Sequence, residues 1–349
     1  MRPALLPAHR PLWRDAATLQ LGRCGARAAV VSGLDPTLRP VLDLLDGSYD
    51  RATVLSAAAV QGCDPDRAKA LVDLLVEAGL VEDAAQDRAA LLGLRADERE
   101  RLSADLASLA LVRGDGGLPA LALRRDVQVL VVGAGRVGAP LAVALALAGI
   151  GAVDLADDGR TRPQDTGVGG LGLPDVGRPR GQAARELVHR AAPSLPRLPV
   201  ARPDLVVLAS GRDDVRDRAR RLVLDGTAHL LVEVREATGV VGPLVLPGRT
   251  PCLRCLDLTR SDLDPAWPVL AHQLPAAGDG DTGCDGPLAL AVAAQAAMQV
   301  LAVVDGTTVP AALGGTLELA LPDWRWRRRT WPLHRDCGCG APPAEPGHG

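Results

Sequence analysis

The sequence predicts an α/β protein: a doubly wound parallel sheet, preceded by a small winged-helix-like N-terminal domain and closed by C-terminal zinc knuckles. Three observations carry this expectation. From Asp126 onward, short apolar runs alternate with helical periodicity. A Gly-x-Gly-x-x-Gly loop at 133–138 follows the first of those runs. Two close cysteine pairs, Cys252 with Cys255 and Cys337 with Cys339, lie on either side of the last long apolar helix.

The 349 residues suit two domains and bury a sizeable core. Positions 12–13, 18–21 and 28–31 read as short strands separated by glycine and polar turns. The period then becomes helical. Leu38, Val41, Leu42, Leu44 and Leu45 recur up to Asp46-Gly47, and a second helix spans 52–61. A third starts at Asp64-Pro65, an N-cap followed by proline in the first turn, and ends at Gly79. Small strands and three short helices make residues 1–85 a winged-helix-like module. Its third helix is acidic and apolar rather than basic. Peptide binding by strand addition at the sheet edge therefore fits better than DNA binding, and a docking or dimerisation role fits equally well. Residues 86–119 hold a helix at 97–111 and a glycine-rich linker at 113–117. Residues 120–340 form the nucleotide-binding and zinc domain, and 341–349 a disordered tail.

Within the larger domain, 127–132 is a strand and 136–148 a helix. A second strand, 152–156, ends at Asp157-Asp158, and a long Gly/Pro-rich loop fills 159–181. Helices at 182–191 and 213–224 alternate with strands at 205–209 and 229–234. A helix at 286–304 and strands near 316–321 and 324–329 complete the chain.

Composition excludes several functions. Net charge is −3, with 39 basic against 42 acidic residues, and the signs are interspersed, which argues against a duplex-DNA footprint. Five Trp, one Tyr and no Phe are too few for a base-stacking platform. The only lysine, Lys69, lies outside any Walker motif and on a charged, helix-like stretch, which excludes a P-loop and disfavours Schiff-base chemistry. The apolar stretches at 141–156 and 288–304 read as short of a membrane span, and no signal-like core opens the chain, so a cytoplasmic protein is expected. The absence of Asn and scarcity of Lys and Ile match a GC-rich codon bias.

In the glycine loop, Gly133 makes the tight turn, Gly135 lets a phosphate approach the backbone, and Gly138 packs helix against strand. The following helix N-terminus offers unpaired N–H groups to an anion. Asp157, at the end of the second strand, is placed to accept from ribose hydroxyls. This Rossmann-like pattern signals an adenine nucleotide; an empty fold that keeps its glycines for packing is the alternative. Cys252, Cys255, Cys337 and Cys339 form two short knuckles that suit a structural tetrathiolate zinc. A redox pair, or His334 replacing one cysteine, are the rivals. Cys284 sits in a Gly/Asp-rich stretch with no basic residue nearby in sequence and reads as inert rather than nucleophilic, and Cys24 and Cys63 as packing residues.

Together, the glycine loop, the Asp-ending strand and the Cys-x-x-Cys knuckle resemble the ThiF/MoeB family, bacterial relatives of ubiquitin-activating enzymes, over about residues 120–340. Further matches are the run Leu147-Ala148-Gly149-Ile150-Gly151, Asp175 to Arg180, Val240-Val241-Gly242-Pro243 and Gly286-Pro287. The resemblance implies Mg-ATP binding, adenylation of the C-terminal carboxylate of a small carrier protein, structural zinc and a homodimer. It puts Arg180 in the place of a catalytic lysine and Asp165 in that of an asparagine. Gly169-Gly170 stands where the family has an Arg-Gln pair, and Gly211 where it has an acid, unless Asp213 substitutes. The N-terminal module looks like the leader-recognition domain of peptide natural-product pathways. The closest likeness is to the ThiF-like proteins that accompany YcaO cyclodehydratases in azole-modified peptide biosynthesis. Those present a precursor peptide and often lack ATP chemistry. The first reading is such a presenting protein; the second is an active adenylyltransferase using Arg180 and Asp213; the third, an NAD-dependent dehydrogenase, shares only the nucleotide loop.

Overall fold

The computed structural model describes residues 1–340 apart from 24, 26, 87, 210–214 and 274–282. The chain divides into two compact units, Met1–Leu123 and Arg124–Gly349. The expected tail at 341–349 lies outside the described residues, as does Cys24.

In the first unit, β1 (Pro3–Leu5) precedes β2 (Pro11–Trp13), β3 (Leu19–Leu21) and β4 (Ala29–Val31), which form an antiparallel sheet in the order β2-β3-β4. Helices α1 (Arg39–Asp43), α2 (Arg51–Val60) and α3 (Pro65–Glu77) follow, and β5 (Val81–Asp83) returns antiparallel to β1. Capping explains the helix starts. Asp50 accepts from Thr53 N–H, and Asp64 accepts from Arg67 N–H with Pro65 behind it. Leu19 and Leu21 alternate inward from β3 onto Val41, Val54, Leu71, Val72 and Leu75, forming one apolar core. Cys63 belongs to that core, and its thiol donates to Thr37 O at 2.8 Å.

Helix α4 (Ala96–Arg113) stops where Gly114 takes φ +70°, and Gly114–Gly117 turns directly into α5 (Leu118–Asp126). The stretch read as a linker is thus a helix–helix turn. Its tightness requires glycine: a Cβ on Gly117 would sit 2.7 Å from Leu106 O.

The second unit is built on a seven-stranded sheet. In chain order its elements are β6 (Gln128–Val132), α6 (Gly138–Leu147), β7 (Ala152–Ala156), α7 (Arg180–Ala191), β8 (Leu205–Leu208), α8 (Val215–Leu224), β9 (Ala228–Arg235) and β10 (Thr238–Val245). Then come α9 (Leu253–Leu263), α10 (Trp267–Gln273), α11 (Gly286–Asp305), β11 (Gly315–Ala320) and β12 (Trp326–Thr330). The spatial order is β12-β11-β10-β9-β8-β6-β7. Strands β7, β6, β8 and β9 run parallel, as the alternating pattern predicts. The sheet is mixed, however, because β10, β11 and β12 pair antiparallel. The switch follows from Glu236-Ala237, whose φ values of 49° and 56° make a tight hairpin turn, and only antiparallel neighbours can be joined so closely. Strand β10 was not legible from its sequence. No strand is expected there, and Gly242-Pro243 is absorbed as a bulge that shifts the register between Val241 and Leu244.

Helices α6 and α11 pack together on one face of the sheet over a core that includes Val131, Leu141, Leu145, Val241, Val292 and Val300. Among the described residues, α11 is the one continuous helix long and apolar enough to cross a membrane, which corrects the expectation that its stretch falls short of a span. Leu288, Val292, Ala296 and Val300 are nonetheless buried against the sheet and α6. Within this unit a buried bidentate pair, Arg124 with Asp305 at 2.7 Å on both arms, holds the end of α11.

Candidate functional site

The glycine loop turns from β6 into α6. Gly133 has φ +98° and donates to Ala156 O, which keeps the turn against the neighbouring strand. A Cβ on Gly138 would lie 2.0 Å from Gly133 O, so only glycine lets the helix start so close to the strand end. Gly135 differs: nothing lies within 4 Å of the place its Cβ would take. Packing requires the first and third glycines, whereas the second faces an open cradle. Helical bonding starts with Ala139 N–H donating to Gly135 O, and the amides of Gly135, Arg136, Val137 and Gly138 have no partner among the described residues. Four convergent N–H groups at the head of a helix suit an anion.

Gly138→Ala is therefore expected to disrupt this unit, lowering its melting temperature or abolishing soluble expression. Gly135→Ala should fold as the parent does, and any nucleotide that the parent binds at the cradle in calorimetry should be lost with it. If Gly135→Ala binds a nucleotide as the parent does, the cradle is not the binding surface.

Asp157 follows β7 and faces the loop, yet its carboxylate is already engaged. One oxygen accepts from Ala134 N–H at 2.8 Å and from Arg180 Nε at 2.9 Å, and the other accepts from Gly159 N–H at 2.8 Å. Arg180, the first residue of α7, extends Nη1 to Asp165 at 2.9 Å, and Asp165 also accepts from Arg162 N–H at 2.8 Å. The side chains of Asp157, Asp165 and Arg180 are 2%, 9% and 8% exposed, so the three form a buried acid–base–acid bridge. Burial pushes both carboxyls up, but for Asp157 the guanidinium and two amides outweigh it, and for Asp165 the bonds from Arg162 and Arg180 do so. Both end below the usual carboxylate range. Burial likewise lowers Arg180, and its two carboxylates raise it above the ordinary guanidinium value.

The structure thus brings Gly133, Gly135, Gly138, Asp157, Asp165 and Arg180 together. It assigns Asp157 a latch on the loop through Ala134 N–H, and it leaves that carboxylate little room for a ribose. Asp213 and Gly211 lie outside the described residues. Gly169 and Gly170 pack against Pro140 at the head of α6, putting no side chain over the cradle.

Arg136 is a residue that sequence reasoning passed over. Its Nη1 donates to Cys284 O at 2.7 Å, across 148 positions of sequence. The basic neighbour that Cys284 lacks in sequence is therefore present in space. Burial still pushes the thiol up, against a smaller opposing pull from Arg136. The signal available was position, since Arg136 stands inside the glycine motif.

The four-cysteine cluster lies elsewhere in the same unit. Cys252 is the N-cap of α9 and Cys255 sits in its first turn, so the presumed knuckle is a helix start. The Sγ atoms of Cys252, Cys255, Cys337 and Cys339 lie within 4.8 Å of one another, with separations of 4.0, 3.5 and 3.2 Å for 252–255, 252–337 and 255–339. A tetrahedral tetrathiolate zinc with ordinary bond lengths spaces its sulfurs about 3.8 Å apart. The donor set fits a metal ion, and the helix dipole at α9 favours thiolate. The thiols also bias one another. The bond from Cys252 holds Cys255 down to about 4, whereas Cys252 is raised by that same bond and by burial. His334 is not a ligand here: Nε2 meets Asp262 at 2.9 Å, and Nδ1 accepts from Asp336 N–H.

The ThiF family model matches residues 104–341. No curated protein matches the sequence. Among solved structures, MccB of E. coli with ATP is similar at TM-score 0.71 and 14% identity, covering 97% of this chain and 99% of that one. MccB in complex with N-formylated MccA is similar at TM-score 0.70 and 14% identity, over 97% of this chain and 100% of that one. PaaA is similar at TM-score 0.71 and 17% identity, over 93% and 99%. With its glycine loop, mixed sheet and cysteine cluster inside the matched region, the chain belongs to the ThiF family.

Proposed function

We propose that this ThiF-family protein binds a precursor peptide through its N-terminal unit and presents it to a partner enzyme, such as a YcaO cyclodehydratase, without adenylating it. Structural zinc in the cysteine cluster holds the C-terminal segment in place. One observation carries the reading. Arg180, the cation in the place of the family's lysine, has Nε committed to Asp157 and Nη1 to Asp165 and is buried with them. A cation so placed is not free to stabilise charge on an α-phosphate. Likeness to MccB over nearly the full length of both chains supports the peptide part, since MccB has been solved with the MccA peptide.

Peptide recognition uses the free edge of β4. The other edge strand, β2, opens on Pro11, which has no N–H to pair, whereas β4 is Ala29-Val30-Val31 with Val30 exposed. Hydrogen exchange tests this. A peptide selected from a displayed library by the purified chain should slow exchange of the amides at 29–31. Protection confined to other segments, or no peptide retained at all, would refute the assignment.

A second reading is favoured by the open cradle at Gly135 and the four unpartnered amides: the chain binds ATP with Mg2+ and adenylates the C-terminal carboxylate of a small carrier protein, with Arg180 and Asp213 in catalytic roles. Homodimerisation is proposed through α11, where the apolar Leu290 and Met298 are exposed about two turns apart. Met298→Glu is expected to yield a monomer by light scattering, and an unchanged dimer would place the interface elsewhere.

A further inference from the structure

The sheet of the second unit ends in two unlike edges. Strand β7 is mostly buried, whereas every residue of β12 is exposed. The exposed edge carries Trp324-Arg325-Trp326-Arg327-Arg328-Arg329, two of the chain's five tryptophans and four arginines within six residues. Trp324 is 46% and Trp326 36% exposed. Charged residues commonly blunt a sheet edge against aggregation. Exposed tryptophan does the opposite, and Trp with Arg is the pair that dominates binding energy at interfaces.

Register shows what the edge offers. Trp331 N–H donates to Gly314 O, and β12 pairs Arg329 with Thr316 and Arg327 with Glu318. Antiparallel alternation then turns the N–H and C=O groups of Trp326, Arg328 and Thr330 away from β11. Arg328 is fixed by bonds to Ala311 O and Leu313 O, and Arg327 is held by Asp323. Among the described residues, Arg325 and Arg329 make no ion pair. On the same side, Arg260 and Arg329 both lie over Trp331, at 5.1 and 4.5 Å from its ring, and Arg260 also covers Trp267 at 4.7 Å. Burial and the nearby Arg235 and Arg329 lower the affinity of Arg260 for its proton, against an opposing pull from Glu233 and from Asp257, with which it pairs at 3.7 Å.

We propose that the free edge of β12 is a docking strip for an extended acidic segment of a partner polypeptide. The segment adds as a further strand on Trp326, Arg328 and Thr330, and lays its carboxylates against Arg325 and Arg329. Alternating outward donors and acceptors favour a peptide over nucleic acid, because a phosphate backbone supplies acceptors and leaves the strand's carbonyls unmatched. The strip is independent of the N-terminal edge at β4, and its failure leaves the reading of that edge standing.

Fluorescence anisotropy of the full chain with a fluorescein-labelled peptide of alternating Glu and Val tests it. Saturable binding is expected, weakening as salt rises from ~50 to ~300 mM, with none for the Lys/Val counterpart. The double variant Arg325→Glu/Arg329→Glu should weaken binding about tenfold or more at an unchanged melting temperature. The same peptide N-methylated at alternate residues should weaken as much on the parent protein, and this arm decides alone if the variant fails to fold. No binding to the parent, parent-like binding of the N-methylated peptide, or equal binding and displacement by oligothymidylate overturns the proposal.

Discussion

Cys255→Ser is expected to strip the chain of bound zinc and to destabilise the second unit by at least ~3 kcal/mol, a fall of roughly 10 °C in melting temperature. Cys255 is fully buried, with Cys252 beside it and Cys337 and Cys339 closing over both. Four thiolates within 4.8 Å of one another would repel without a cation between them. A divalent metal removes that conflict and links β12 and the C-terminal segment to the start of α9. Metal analysis of the purified parent should give one zinc per chain, and prolonged chelation should reproduce the loss of stability. A parent without metal that melts with Cys255→Ser would show the cluster to be only a packed thiol group.

Arg180→Met is expected to cost about 3–5 kcal/mol at neutral pH, because it leaves Asp157 and Asp165 buried without their shared cation. Urea unfolding at several pH values gives a sharper signature. In the parent, both carboxyls are depressed from 3.8, so their contribution is complete above that value and is lost as pH falls through the lower folded values. Without the guanidinium, its lowering pull is lost and both folded values move up from those of the parent. The variant should then recover stability relative to the parent as pH drops from 7 through the carboxylate range. A constant difference across that range would show that the bridge contributes by packing and not by charge.

Much of the fold was legible. The strands expected at 18–21 and 28–31 and the helix capped by Asp64 follow from local chemistry, and so does the strand leading to Asp157. What escaped the sequence depended on tertiary context. Gly242-Pro243 looks like punctuation but is absorbed as a bulge inside β10. The helix start at Cys252 is hidden by the Cys-x-x-Cys spacing, which is equally that of a knuckle. The site shows the same division. The cysteine pairs and glycine loop are contiguous motifs, and both were readable. That Arg180 reaches back to Asp157 and Asp165, and that Arg136 meets Cys284, are contacts no spacing encodes. The codon-biased composition added an ambiguity of its own: an arginine for lysine at 180 could be neutral drift by composition alone. The bridge it makes shows instead what that arginine does in this chain.

ATP–pyrophosphate exchange with Mg2+, run on the full chain with and without the selected peptide, tests the central claim most directly. With Arg180 held between two buried carboxylates, the expected result is no peptide-dependent exchange despite measurable peptide binding. Robust peptide-dependent exchange, lost in Gly135→Ala, would contradict it and establish the chain as an adenylyltransferase.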